Sequence, residues 1–141
     1  MVIVRLEGGN TTDYETNEPV SAKDIADLRQ AVGWNRMEAC YDDPRMSSYF
    51  HIACYEEDRL IGYIDTVCNG VTDAYIQDLM VHPDYQGKGI GTRLMDMTIE
   101  HLKSKHIYMI SVVFGERLLP FYKRFGFEHM LCGQMQTYEM E

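Results

Sequence analysis

The segment from residue 78 to residue 93 has the composition and spacing best suited to chemistry. It reads Asp-Leu-Met-Val-His-Pro-Asp-Tyr-Gln-Gly-Lys-Gly-Ile-Gly-Thr-Arg, so an apolar strand pattern passes through a glycine-rich turn into a helical pattern. Its glycines remove side chains where an anion would approach the backbone, and the free N–H groups lie at the positive end of the predicted helix. Lys88 and Arg93 add positive charge. The segment therefore predicts a pyrophosphate site.

Three kinds of phosphate-binding turn compete for this segment. The P-loop needs Ser or Thr after its lysine, but Lys88 is followed by Gly89, so that interpretation fails. A dinucleotide-binding turn would need glycine where Thr92 or Leu94 stands. Glu116 lies near the distance expected for a ribose carboxylate, but too little chain remains for a dinucleotide fold. The third kind is the turn that binds an acyl-CoA.

Two motifs carry a specific family resemblance. Gln86-Gly87-Lys88-Gly89-Ile90-Gly91 resembles the (Q/R)-x-x-G-x-(G/A) signature of the GNAT superfamily, the Gcn5-related N-acetyltransferases. The preceding Leu-Met-Val-His-Pro resembles the fourth strand of that family, and the Phe-Tyr-Lys-Arg-Phe-Gly-Phe-Glu stretch at 121–128 resembles its C-terminal motif. The resemblance covers roughly residues 20–130 in element order.

The resemblance implies a fold in which the fourth and fifth strands splay apart around acetyl-CoA. It implies that the pantetheine arm pairs with the backbone of the fourth strand, that the glycine turn holds the pyrophosphate, and that Tyr122 lies near the thioester sulfur. A homodimer is a further family-level expectation. Gly115 stands where many members carry Asn, which puts one cofactor contact in doubt. The implied cofactor-binding residues are Leu79, Met80, Val81, Gln86, Gly87, Lys88, Gly89, Ile90, Gly91 and Thr92.

Acyl transfer to an amine makes its own demands on the site. An alkylammonium with a pKa near ~10.4 must lose a proton before it attacks a thioester. Asp78 is the nearest candidate base in the sequence, and the alternative interpretation, which we favour slightly, is a structural hydrogen-bonding or exposed strand residue. The N–H of Met80 or Val81 would stabilise an oxyanion. Tyr122 would donate a proton to the leaving thiolate, unless it is only a half-buried core tyrosine.

The function expected from these residues is direct acetyl transfer from acetyl-CoA to a primary amine of a small molecule, such as an arylalkylamine or polyamine-like amine. Two alternatives stay open: acetylation of a peptide N-terminus or lysine, and a catalytically silent acyl-CoA-binding module. Trp34, Tyr41, Tyr49 and Phe50 could form an aromatic wall over the acceptor or simply pack in the core. No metal is expected, because the five histidines show no metal-ligand spacing.

The elements that position these residues follow from hydrophobic periodicity. Strands are predicted at 2–6, 49–55, 60–68, 74–81 and 107–114, with a last strand within 127–140; residues 8–18 are expected to be a polar turn. Helices are predicted at 21–33, 37–41, from 87 onward, and at 118–124. The predicted fold class is α/β (α+β), a mixed and mostly antiparallel sheet with helices on both faces. We expect one domain over residues 1–141.

Composition limits the partners. The 13 Lys and Arg residues against 22 Asp and Glu give a formal charge of −9. That charge argues against nucleic acid, which needs a basic face, and favours a cationic substrate. No apolar run reaches the ~20 residues that span a bilayer, so no membrane partner is expected. Four separated cysteines and the lack of a leader pattern predict a cytoplasmic protein with reduced thiols.

Overall fold

The computed structural model describes residues 2–5 and 11–140, and it contains one six-stranded sheet in the order β1-β2-β3-β4-β5-β6. The first five strands are antiparallel neighbours, and β6 runs parallel to β5. This mixed, mostly antiparallel sheet confirms the predicted fold class. The strands are β1 Val2–Arg5, β2 Thr11–Thr16, β3 Phe50–Glu56, β4 Arg59–Cys68, β5 Asp73–Val81 and β6 Met109–Val112.

Among the described residues, three α-helices lie between strands, namely α1 Ala22–Ala31, α2 Glu38–Tyr41 and α3 Ile90–Ser104, and α4 Leu119–Lys123 follows β6. Helix α1 begins where the sequence indicates, because the Ser21 hydroxyl accepts a hydrogen bond from the Asp24 N–H at 3.1 Å. Single 3₁₀ turns at Pro83–Tyr85 and Glu116–Leu118 precede α3 and α4.

Two apolar clusters fix the helices to the sheet. On one side, Ile25 and Leu28 of α1 pack with Leu60, Tyr63 and Met80 of β4 and β5. The other cluster joins α3 to the central strands through the predicted helical stripe, of which Ile90, Leu94, Thr98 and Leu102 are all buried. The helices predicted on both faces of the sheet are therefore present, and the sheet lies between them.

Strands β5 and β6 separate toward the carboxyl end of β5. Their pairing covers only Asp73–Ile76 against Met109–Val112, so the rest of β5 has no partner on its β6 side. The β4 pairing is also irregular there, because the register skips Asp78, whose φ of 57° is left-handed. A bulge and an open strand edge thus meet at one point of the sheet.

Two predictions of secondary structure were wrong. Residues 11–16 form β2 rather than part of a polar turn, and the buried Thr12 and Tyr14 alternate with the partly buried Asp13 and Glu15 along it. The acidic Asp13 and Glu15 on its other face obscured that alternation. The strand predicted within 127–140 is absent among those residues, all of which the structure describes as non-strand. Residues 6–10, from the first predicted strand and turn, lie outside the described residues.

Candidate active site

A groove of about 610 Å³ opens where β5 and β6 separate. Its walls come from the end of β5, the start of α3, the α4 region and the end of α1. Tyr122 and every predicted cofactor-binding residue except Lys88 lie on it. The lining residues are Val32, Trp34, Leu79, Met80, Val81, Tyr85, Gln86, Gly87, Gly89, Ile90, Gly91, Thr92, Arg117, Leu118, Phe121, Tyr122 and Arg124.

The glycine turn has a conformation that requires glycine. Gly87 and Gly89 have φ values of 78° and 86°, in the left-handed region that side chains disfavour. The first hydrogen bond of α3 runs from the Arg93 N–H to the Gly89 carbonyl at 3.0 Å. The backbone N–H groups that precede Arg93 therefore have no hydrogen-bond partner within the helix, and they lie at the positive end of the helix dipole. This geometry suits an anion.

Gln86 ties the turn to the strand. Its Nε2 donates to the Val81 carbonyl at 2.9 Å, which holds the loop against the end of β5. Gly91 then brings α3 close: a Cβ there would lie 3.6 Å from Val81 and 3.7 Å from Phe121, an ordinary contact distance. That spacing explains why the motif accepts either glycine or alanine at this position.

The groove takes its positive charge from arginines that the sequence analysis missed. Arg117 and Arg124 both line it, and Arg124 Nη2 donates to Thr92 Oγ1 at 3.1 Å across the cleft. Lys88 instead lies over the ring of Tyr85 with its Nζ 5.5 Å from the centroid, and the exposed Arg93 is not on the groove. Arg124 belongs to the C-terminal motif at 121–128, and this was the sequence feature that could have indicated its place on the groove.

Tyr122 lies deep in the groove wall and is 6% exposed. Its ring stacks on Phe114 at a centroid distance of 4.4 Å and meets Phe121 edge-on at 5.0 Å. Burial raises the pKa of Tyr122 above its ordinary value, and the neighbouring Tyr75 adds to this. The phenol therefore stays protonated at neutral pH, as a proton donor must.

Asp78 is not on the groove lining. Its carboxylate accepts a hydrogen bond from the Tyr41 hydroxyl and forms an ion pair with Arg29 Nη1 at 3.2 Å. Arg29 is itself buried, and its Nε donates to the Asn35 carbonyl at 2.6 Å. Both carboxylate oxygens are engaged by partners within the protein, so these contacts favour the structural role of Asp78. Its role as catalytic base stays a prediction.

Asp65 is a second carboxylate in this region, and the sequence analysis did not single it out. It lies on β4, is 6% exposed, and accepts a hydrogen bond from the Thr66 N–H at 2.7 Å. Burial raises the pKa of Asp65 to about 6, and the negative charge of Asp78 acts in the same direction. An aspartate between apolar strand positions was the signal that could have indicated it.

The four aromatic residues that were expected to form a wall over the acceptor or to pack in the core lie in two different regions. Trp34 lines the groove and is 43% exposed, and Tyr41 contacts Asp78. Phe50, by contrast, is buried and stacks on His101 at 3.8 Å between centroids, and Tyr49 packs against the same core cluster. Of these four residues, Trp34 alone lines the groove.

Neither a metal cluster nor a membrane span was found in the part of the chain that the structure describes. Residues 2–5 and 11–140 contain no group of three or more His, Cys, Asp or Glu side chains arranged to hold a metal ion. Within the same residues, no helix has the length and apolarity needed to cross a bilayer.

Comparison with known proteins places this geometry in context. The model of the acetyltransferase (GNAT) family matches residues 13–127. The uncharacterized N-acetyltransferase ycf52 of Gracilaria tenuistipitata var. liui is 31% identical over 135 residues, covering 90% of this chain and 74% of that protein.

Solved structures have the same fold. A probable acetyltransferase of unknown function, SA2161 from meticillin-resistant Staphylococcus aureus, superposes with a TM-score of 0.80 at 22% identity, covering 90% of this chain and 99% of the other. The GNAT family protein SP0256 from Streptococcus pneumoniae TIGR4 has a TM-score of 0.70 at 28% identity, covering 92% and 99%.

Proposed function

Because this chain belongs to the acetyltransferase (GNAT) family and is an N-acetyltransferase, we propose that it moves an acetyl group from acetyl-CoA directly to a primary amine of a small molecule. One observation carries the proposal. The open edge of β5, the glycine turn at the start of α3 and the buried phenol of Tyr122 all line a single groove.

The residues present fit an acyl-CoA. The left-handed Gly87 and Gly89 and the unpaired first amides of α3 would hold the pyrophosphate. Arg117 and Arg124 would add charge to that end of the groove. On the β6 side of residues 79–81 of β5, the backbone groups other than the Val81 carbonyl, which accepts from Gln86, would hydrogen-bond the pantetheine amides, as an added strand would.

Each reacting group has a residue suited to it. Acetyl-CoA supplies the thioester whose acetyl group is transferred. Tyr122 donates its phenolic proton toward the leaving sulfur, because burial keeps the phenol protonated. The exposed ring of Trp34 covers one end of the same groove, where it would shield the acceptor from water.

The charges beside the groove support a small cationic acceptor. Asp65 and Asp78 are both acidic, and Arg29 pairs with Asp78 alone. If both carboxylates ionise, this cluster carries one uncompensated negative charge, which one ammonium would balance. The formal charge of −9 on the whole chain acts in the same direction at longer range.

The test combines a cofactor assay with an acceptor screen. Isothermal titration should detect binding of CoA, and free-thiol release from acetyl-CoA should be screened with arylalkylamines, polyamines, aminosugars and short peptides. Release with a small amine, confirmed by mass spectrometry of the acetylated product, supports the proposal. Release with peptides alone would assign a peptide or lysine acetyltransferase. Binding of CoA with no acceptor would assign a silent binding module.

A further inference from the structure

Arg29 of α1 is buried, and every N–H group of its guanidinium faces a partner. A guanidinium presents five N–H donors in a fixed planar fork. Nε and Nη2 donate to the carbonyl oxygen and to Oδ1 of Asn35 at 2.6 Å and 2.7 Å, and the other Nη2 hydrogen faces Met37 Sδ at 3.2 Å. Nη1 donates to the Tyr41 hydroxyl at 3.3 Å and to Asp78 Oδ1 at 3.2 Å. Arg29 therefore joins α1, the loop before α2, α2 itself and β5 at one point.

This network holds the loop that places Trp34 on the groove. The Trp34 N–H donates to the Arg29 carbonyl at 2.9 Å, and the Arg29 Cζ lies over the Trp34 ring, 5.3 Å from its centroid. Asn35, the next residue, accepts twice from Arg29, and its Nδ2 donates to the Met140 carbonyl at 3.2 Å. A ring that is 43% exposed is thus held at its backbone and has a cation against one face.

The same guanidinium supports the bulge in β5. Asp78 has a φ of 57°, a conformation that persists in a non-glycine residue only where the surroundings enforce it. Arg29 Nη1 donates to Asp78 Oδ1, and the Tyr41 hydroxyl donates to Oδ2. Leu79 and Met80, which follow the bulge, line the groove. The position at which β5 enters the groove is therefore fixed from α1 and α2.

These contacts lie at one end of the groove-lining part of β5. Asp78 precedes residues 79–81, and the glycine turn follows them. In the proposed binding mode the pyrophosphate lies at the turn and the pantetheine extends along residues 79–81, so the thioester would lie toward Asp78. Trp34 would then lie beside the point where the acetyl group meets the amine. Arg29 is not on the groove lining, so it would act on that point through the residues that it holds.

We propose that Arg29 is a positioning residue for the acceptor amine, and that it acts by holding Trp34 on the groove and the Asp78 bulge at the groove edge. This proposal rests on the proposed N-acetyltransferase function. It gives a functional reason for the buried ion pair between Arg29 and Asp78 and for the two hydrogen bonds from Arg29 to Asn35.

The number and geometry of the donors distinguish this role from charge balance. Arg29→Lys keeps a positive charge for Asp78, but an ammonium has three donors on a flexible stem and no planar fork. It cannot reproduce the paired hydrogen bonds to Asn35 together with the bond to Asp78, and it offers no flat face to Trp34. Charge balance alone therefore predicts that Arg29→Lys is tolerated, and positioning predicts that it is not.

The first test compares Arg29→Lys with Arg36→Lys as the matched control. Arg36 also links α1 to α2, and its guanidinium donates to Asp27, Gln30 and Glu38. We expect Arg29→Lys to lower kcat/KM for the amine by ~10- to 100-fold, because a misplaced acceptor reacts poorly, and to leave the Kd for CoA unchanged. Arg36→Lys should change neither constant. Normal kinetics in Arg29→Lys, or an equal loss in both variants, would overturn the proposal.

A second pair of variants keeps the test decisive if Arg29→Lys does not fold. Asn35→Ala changes an exposed side chain and leaves the ion pair between Arg29 and Asp78 in place. It should lower kcat/KM for the amine by ~10-fold. Combined with Trp34→Ala, it should cost less than the product of the two single losses, because Asn35 acts through Trp34. Unchanged kinetics in Asn35→Ala, or losses that multiply, would contradict the positioning of Trp34.

A third measurement needs no substrate, because Trp34 is the single tryptophan of the chain and its fluorescence reports the surroundings of its ring. In Arg29→Lys and Asn35→Ala the emission maximum should shift to longer wavelength and acrylamide should quench more strongly, whereas Arg36→Lys should match the unsubstituted protein. Emission indifferent to the first two changes would exclude the proposed hold on Trp34.

Failure of the proposed function and failure of the positioning role are distinguishable. The first gives no thiol release from the unsubstituted protein with any amine. The second gives thiol release that Arg29→Lys and Asn35→Ala leave intact.

Discussion

At the scale of single residues, Tyr122 and Asp65 both lie in buried environments that raise their pKa values. Burial keeps the Tyr122 phenol protonated, which suits an acid. Burial raises the pKa of Asp65 to about 6, which leaves it ionised at neutral pH but readily protonated. The two groups therefore differ at neutral pH, because Tyr122 keeps its proton while Asp65 is ionised.

Tyr122→Phe removes the phenolic proton and leaves the ring packing on Phe114 and Phe121 in place. We expect kcat to fall by ~10- to 100-fold, with the Kd for CoA changed less than about twofold because the glycine turn is untouched. Steady-state kinetics and calorimetry measure the two constants. Tyr108→Phe, at a residue 82% exposed, is the control. A Tyr122→Phe variant with normal kcat would remove the acid role.

Asp65→Asn should stabilise the protein at neutral pH. The folded pKa is raised from 3.8 to about 6, so the penalty for ionising Asp65 is absent below the unfolded pKa and grows as pH rises through the folded pKa. At pH 7.5 we expect a gain of about 3 kcal/mol in the free energy of unfolding. Urea unfolding at pH 4 and pH 7.5 measures it. A gain of equal size at both pH values would point to a cause other than titration.

At the scale of elements, the site depends on how closely α3 approaches the sheet and how its first turn is shaped. Gly62 of β4 allows the approach, because a Cβ there would lie 3.1 Å from Ile90 and 3.2 Å from both Cys54 and Leu94. Gly89 allows the turn, since it precedes α3 with a left-handed φ and no side-chain cap. The start of α3 is therefore positioned by two glycines of different function.

Gly89→Ala and Gly91→Ala form a matched pair in the turn. Alanine at 89 meets no atom but must take a φ of 86°, which costs about 1–2 kcal/mol. Alanine at 91 makes only ordinary contacts with Val81 and Phe121. We expect Gly89→Ala to lower both thermal stability and CoA affinity, and Gly91→Ala to preserve the fold. Equal effects of the two changes would refute this account of the turn.

Gly62→Ala should destabilise the protein through overpacking between β4 and α3. The three neighbours within 3.2 Å would have to move, at a cost of about 1–3 kcal/mol. Gly115→Ala is the control, because its Cβ would meet nothing within 4 Å. Chemical denaturation of both variants gives the comparison, and a Gly62→Ala variant as stable as the control would show that α3 shifts freely.

At the scale of the whole molecule, the charge distribution is uneven. The chain has a formal charge of −9, yet Arg117 and Arg124 line one groove. An anionic cofactor and a cationic acceptor are thus each favoured by a different part of the same protein. In the proposed reaction, the local arginines would attract the anionic acetyl-CoA, and the acidic remainder would attract the cationic amine.

A change in ionic strength should test the attraction between the negative net charge of the protein and the cationic amine. Raising salt from 0.05 M to 0.5 M shortens the screening length several-fold. We therefore expect kcat/KM for a dicationic amine to fall more than kcat/KM for a monocationic one of similar shape. Initial-rate kinetics at saturating acetyl-CoA measures this. Identical salt dependence for the two amines would show that the net charge of the protein does not attract the acceptor.

Much of the fold could be predicted because it depends on local patterns. The Ser21 cap and the α3 stripe of Ile90, Leu94 and Leu102 were visible as spacing in the sequence and are confirmed. Strand β2 was missed, since Thr12 and Tyr14 are buried by pairing with β3, some 40 residues along the chain. The last predicted strand was wrong, because a β-like composition does not provide a pairing partner.

The sequence by itself determined the glycine turn, the helix after it and the place of Tyr122 in a motif. Those features follow from backbone conformation and from the 3.6-residue period, which act between near neighbours. Only the tertiary structure decided which cations line the groove and which carboxylate has a cationic partner. Arg29 neutralises Asp78 across 49 residues of chain and leaves Asp65 without that partner. Which charged groups pair depends on their distance in the folded protein, and the local sequence does not specify that distance.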